Sequence, residues 1–214
     1  MELLYADNKI IVCVKPAGVL STDEPGGMPQ LLREALGDEN APVYTVHRLD
    51  AAVGGVMVYA RTRHAAADLG KAIERGDVRK EYLAVLCGHP EEPRGELCDL
   101  LRHDRKLRTT FVADTPSPET REARLLYETA AESEGLTLVR IRLLTGRTHQ
   151  IRCQFSSRGL PLWGDRKYGG SGEGNIALFS CALSFPHPRT GETMIFERLP
   201  DAVEPWIQFD FGGI

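Results

Sequence analysis

Residues 44–61, YTVHRLDAAVGGVMVYAR, set an imidazole, a guanidinium and a carboxylate between two apolar runs, at His47, Arg48 and Asp50. Val43 to Val46 and Val56 to Ala60 are rich in β-branched and aromatic residues and predict two strands. Charged residues between such runs belong at the mouth of a cleft and not in a core. An ionised carboxylate there can attack an electrophilic carbon or stabilise a developing cation. A plainer role for Asp50 is to accept hydrogen bonds from backbone N–H groups in a turn. Gly54 and Gly55 follow, where paired glycines permit a positive φ or a close backbone approach.

A second charged segment starts at Leu138, LVRIRLLTGRTHQIRCQFSSRGLPLWGDRKYGG, and carries Arg147, His149, Arg152, Arg166 and Lys167. A helix is expected within it. His149 and Arg152 stand at i and i+3 and share one face, while Ile151 and Phe155, at i and i+4, share the core face. Between the two charged segments lies KEYLAVLCG, residues 80–88, an alternating strand with Tyr82 near its start. A tyrosine can stack on a flat substrate and, once desolvated, act as acid or base.

HRLD with its following glycine, KEYLAVLCG, TGRTHQIR (145–152) and GDRKYGG (164–170) occur in that order. Together they resemble the RluA-like pseudouridine synthases, which isomerise uridine to pseudouridine in structured RNA. The opening LLYADNKIIVCVKPAGVLS and the late LSFPHPRTGE are similar to the family too, so the likeness covers roughly residues 3–206. It implies Asp50 as nucleophile, Tyr82 against the target base as a proton acceptor, and Arg152 as the ion-pair partner of Asp50, with Arg147 the runner-up. It implies that Arg48 holds the target nucleotide out of its stack. His47, Arg147, His149, Arg166 and Lys167 are expected to contact RNA. The implied substrate is rRNA or tRNA, with no metal, no organic cofactor and no obligate protein partner; a cytoplasmic monomer is expected. A nearby arginine lowers a carboxylate's pKa by about 1–3 units, which suits a nucleophile that must be ionised while partly buried.

The sequence departs from the family at three places: Ala51 follows the aspartate, Val53-Gly54 replaces a Thr-Ser pair, and Gln154 stands where a histidine is usual. Two other readings compete: a non-catalytic RNA-binding or chaperone module on the same scaffold, and a hydrolase using a carboxylate pair, for which Asp165 is the candidate second acid.

The 214 residues carry a net charge of −4, with 42% hydrophobic and 26% charged residues, an ordinary globular composition. An acidic chain that binds RNA must gather its basic groups on one surface. Two stretches offer this: Arg140 to Lys167, and the run LRHDRKLR, from which Arg105, Lys106 and Arg108 are expected to contact phosphates. The five cysteines are odd in number and form no C-x-x-C pair, so neither a disulfide framework nor a zinc site is indicated. No stretch reaches the roughly 20 apolar residues of a membrane span, and MELLYADNKI has no signal-peptide pattern.

Strands outnumber helices without regular alternation, which predicts an α+β fold with a mixed, largely antiparallel sheet flanked by a few helices. Strands are expected at 3–6, 10–14, 80–88, 121–131, 136–144, 175–185 and 192–199, and a charged hairpin at 101–112. Helices are expected at 29–36, at 62–76 with Thr62 as cap and Gly76 as stop, and from about Thr148. One catalytic domain over residues 1–214 is expected, without the separate N-terminal RNA-binding module that family members often carry.

Overall fold

The computed structural model describes residues 1–212. Eleven strands and three α-helices are present among them, an α+β fold as predicted. In chain order they are β1 (Glu2–Ala6), β2 (Ile10–Lys15), α1 (Met28–Leu36), β3 (Tyr44–Thr45), β4 (Gly54–Ala60), α2 (Arg63–Arg75), β5 (Arg79–Cys87), β6 (Arg94–Asp104), β7 (Thr109–Ala113), β8 (Thr120–Ser133), β9 (Leu136–Leu143), α3 (Gln150–Ser156), β10 (Leu178–Pro186) and β11 (Thr193–Glu197). The chain forms two compact units. One comprises Met1–Lys80 with Phe179–Pro200; the other comprises Glu81–Leu178 and the residues from Asp201 onward.

The first unit carries strands in the order β1-β2-β4-β10, with β3 added to β4 and β11 to β10. β2 and β4 run antiparallel from Ile10↔Ala60 to Lys15↔Gly55. β4 and β10 are parallel, with Phe179 opposite Gly54 and Ser180 opposite Gly55. Ile10, Val12, Val56, Val58, Leu183 and Phe185 fill the core, and Ala65 and Leu69 of α2 close it. Each buried Val, Leu or Ile side chain contributes roughly 1.5–3 kcal/mol. α2 starts where Thr62 accepts a hydrogen bond from the Ala65 N–H and stops at Gly76, whose φ is 78°.

The second unit carries the order β5-β9-β8-β6-β7. β8 and β6 are long and paired antiparallel from Arg94↔Glu128 to Arg102↔Thr120. Tyr127 stacks edge-on against Phe155 of α3, with ring centroids 5.5 Å apart, so α3 covers the sheet face that Tyr127 presents. Side chains alternate along a strand. Glu128, opposite Arg140, therefore faces away from α3, and so does Glu81, which pairs with Arg140 at 2.7 Å. Tyr82, the next residue after Glu81, turns to the α3 face.

Candidate active site

In the first unit, Asp50 stands on the turn that joins β3 to β4. The Val53 N–H donates to the Asp50 carbonyl at 3.0 Å and closes the turn. Its neighbours are held from both sides. Ser21 Oγ donates to the Leu49 carbonyl at 2.9 Å and accepts the Leu49 N–H at 3.0 Å. The Ala51 carbonyl accepts from the Gly18 N–H at 2.8 Å and from Lys15 Nζ at 3.0 Å. The Asp50 side chain is partly exposed and Arg48 is exposed, while Leu49 between them is buried. The backbone of the turn is thus fixed around Asp50.

Lys15 is the unforeseen member of this turn. It is fully buried, and its ammonium spends its donors on the carbonyls of Pro16 (2.9 Å), Val19 (2.6 Å) and Ala51 (3.0 Å). Burial lowers its pKa to about 8, against an opposing pull from the Asp50 charge. Gly55 explains the paired glycines. Its φ is 128°, and a Cβ there would overlap the backbone of Ser180, so β10 can pair only with a glycine. Gly54 is tight as well, with a Cβ position 3.2 Å from the Lys15 carbonyl. A side chain at 54 would press on the strand that carries Lys15.

His47, expected to contact RNA, is buried, and its Nε2 accepts the Val58 N–H at 3.1 Å. Burial, with a smaller push from the Lys80 charge, lowers its pKa to about 3, so the ring is neutral and the proton sits on Nδ1. A neutral imidazole spent on a backbone amide supports the loop.

In the second unit, Tyr82 is 6% exposed, more buried than a strand-end tyrosine usually is. Arg152 on α3 is also buried, and Asp165 grips it bidentately: Nε donates to Oδ2 and Nη2 to Oδ1, both at 2.7 Å. The Arg152 guanidinium carbon lies 5.0 Å over the Tyr168 ring. Asp165 is 2% exposed. It is committed to Arg152, which removes the acid that a carboxylate-pair hydrolase would need. Arg147, the runner-up, is exposed and donates from Nε to the Glu122 carbonyl at 2.9 Å. Gln154 is fully buried and donates from Nε2 to Asp99 at 2.7 Å and to the Ala123 carbonyl at 3.2 Å, bracing α3 on β6 and β8.

The basic surface is narrower than the sequence suggests. Arg140 is paired with Glu81, Arg152 with Asp165, and Arg158 with Asp99 at 2.9 Å. Arg140 and Arg142 lie on the sheet face opposite Tyr82, among Glu81, Glu128 and Arg94. Acids distant in sequence neutralise what reads as a basic run. Arg105, Lys106 and Arg108 are exposed on the β6–β7 turn, and Arg166 and Lys167 are exposed beside Asp165. Lys167 Nζ donates to the Arg108 carbonyl at 3.0 Å, which joins these two exposed groups. His149, at the start of α3 with φ 52°, shares a 2.9 Å hydrogen bond with the Tyr168 hydroxyl.

The sequence matches the RNA pseudouridylate synthase family over residues 9–157. The chain belongs to that family. It is 30% identical over 214 residues to the dual-specificity RNA pseudouridine synthase RluA of Haemophilus influenzae, covering 94% of each chain. It is 32% identical over 218 residues to the ribosomal large subunit pseudouridine synthase C of Escherichia coli, covering 93% of this chain and 66% of the other. Among solved structures it is similar to the human RNA pseudouridylate synthase domain containing 1, with a TM-score of 0.80, 21% identity and coverage of 94% and 83%, a likeness of fold. The family's activity is an RNA isomerisation, and the chain is an RNA pseudouridine synthase.

Proposed function

We propose that this RNA pseudouridine synthase acts on uridines of structured ribosomal or transfer RNA with Asp50 as its nucleophile. The reading rests most on one observation: the backbone on both sides of Asp50 is locked by Ser21, Gly18 and Lys15, while the residue itself is only partly buried. A group held this way is preorganised for reaction. The name of one relative, a large-subunit ribosomal enzyme, supports ribosomal RNA as a substrate.

In this reading the N1–C1′ bond breaks as the Asp50 carboxylate attacks the nucleoside or stabilises the sugar cation. The freed uracil turns, C5 bonds to C1′, the C5 proton leaves and N1 gains a proton. Tyr82 contacts the base and takes the C5 proton. Arg152 is the cation that keeps Asp50 ionised, with Asp165 holding its other edge. Asp50 belongs to one unit and Tyr82 and Arg152 to the other, so the reading requires the two units to act as one catalytic domain. Arg48 fills the gap left when the target base is flipped from its stack, which otherwise costs a few kcal/mol. Arg105, Lys106, Arg108, Arg147, His149, Arg166 and Lys167 hold RNA. The enzyme works as a cytoplasmic monomer without metal, cofactor or protein partner.

Pseudouridine mapping in total RNA from cells lacking this protein tests the reading. Loss of one or a few sites, restored by the wild-type gene and not by Asp50→Asn, is the expected result. An unchanged map, with no activity of the purified protein on rRNA or tRNA, would contradict it.

A further inference from the structure

Arg152 is held by two groups of one short turn, and the second of them has a further tie. Asp165 takes the Nε and Nη2 edge of the guanidinium, and the Tyr168 ring lies under its carbon at 5.0 Å. The turn is fastened to α3, because Ser156 Oγ donates to the Tyr168 carbonyl at 2.6 Å. It is internally closed by the Tyr168 and Gly170 N–H groups, which donate to the Asp165 carbonyl at 3.0 and 2.8 Å. Gly170 is required, since a Cβ there would overlap the Leu162 carbonyl.

The Tyr168 hydroxyl is spent on the β6–β7 hairpin and on the start of α3. It accepts the Thr110 N–H of β7 at 2.7 Å, and it shares a hydrogen bond with His149. Thr110 Oγ1 in turn donates to the Thr148 carbonyl at 2.8 Å. The hairpin whose turn presents Arg105, Lys106 and Arg108 is therefore joined through one phenol to the Arg152 side chain. A tyrosine provides both ends of this joint: a π face for a guanidinium and a polar tip for a backbone amide.

We propose that Tyr168 is a positioning residue that acts through Arg152, its ring setting the guanidinium and its hydroxyl setting the hairpin that grips RNA. This rests on the reading of Arg152 as the cation of the active site. The two ends of the joint have separable consequences. Tyr168→Phe keeps the ring and loses the hydroxyl, so the RNA concentration for half-saturation should rise several-fold, by more than the single-turnover rate at saturating RNA falls. Tyr168→Leu loses both, and a displaced guanidinium should lower the single-turnover rate by roughly 10–100-fold. Its acid limb should move to higher pH, as removing a cation from beside a carboxylate requires.

The deciding experiment is a double-mutant cycle with Arg152→Met, read as single-turnover tritium release from 5-labelled uridine RNA across pH, with melting curves on each variant. Tyr168→Met serves in place of Tyr168→Leu if the latter does not fold. If Tyr168 acts through Arg152, adding Tyr168→Leu to Arg152→Met slows the enzyme no further. A full additional loss, or a slow Tyr168→Leu enzyme with an unmoved acid limb, overturns the positioning role. If Arg152→Met itself leaves rate and pH profile unchanged, the reading of Arg152 as the active-site cation fails first, and the inference fails with it.

Discussion

At the residue scale, function and stability turn on charges that the fold buries and commits. Lys15 gives up water for three carbonyls around the Asp50 turn. Lys15→Met should cost about 2–4 kcal/mol, because buried carbonyls lose their donor, and denaturant unfolding measures it. Its titration adds a sign. The folded pKa of about 8 lies below the unfolded value of 10.5, so in that window the unfolded chain binds more protons and stability contributed by this group rises with pH. The wild type should therefore gain on Lys15→Met between pH 8 and 10.5, and a constant gap would show that Lys15 is not titrating there. Arg152→Met should move the acid limb of the pH–rate profile to higher pH; an unmoved limb at undiminished rate would leave Arg152 a structural partner of Asp165 alone. Asp50, Tyr82 and Arg152 were legible as motif residues. Lys15 and Ser21 were not, because their partners in the turn lie 36 and 28 residues away and neither stands out by type in its own stretch. His47 was legible as polar but not as buried: the amide that captures it belongs to Val58 on the next strand.

At the element scale, local signals read well where a strand or helix is stabilised by its own pattern. α2 shows its cap and its stop at the predicted positions. α3 begins two residues later than Thr148 suggests, because His149 takes a left-handed φ and Gln150 Oε1 accepts the Arg147 N–H. β6 begins at Arg94, ahead of the hairpin expected at 101–112, because β8 pairs with it that far and Gly95 leaves room for the Tyr127 ring. Two glycine substitutions separate necessity from habit. Gly55→Ala should destabilise by more than about 2 kcal/mol, since its Cβ meets the Ser180 backbone at a φ alanine avoids. Gly70→Ala, in the middle of α2 with open space around it, should stabilise by about 0.5–1 kcal/mol. Melting curves of the pair check both signs. The β6–β7 hairpin gives a third test. Reversing Arg105, Lys106 and Arg108 to Glu should weaken RNA binding and flatten the slope of log K against log salt by roughly 0.7–0.9 for each phosphate no longer neutralised, with little change in the chemical step. An unchanged slope would make the hairpin an ordinary solvated turn.

At the scale of the whole molecule, an acidic chain must offer RNA whatever cations its own carboxylates leave exposed. Arg140, Arg152 and Arg158 each meet a carboxylate from a distant segment, so the exposed basic run is narrower than composition suggests. The fold class followed from strand count and spacing; the pairings that decide which charges remain exposed depend on register, which a single sequence does not display. The central claim is that Asp50, presented on its locked turn, carries out the isomerisation. The measurement that tests it most directly is single-turnover tritium release from 5-labelled uridine RNA by Asp50→Asn, beside melting curves for both proteins. Asn suits the turn and keeps the backbone hydrogen bonds, so a melting temperature close to wild type and no detectable release are predicted. Release near the wild-type rate from a folded Asp50→Asn protein would contradict it.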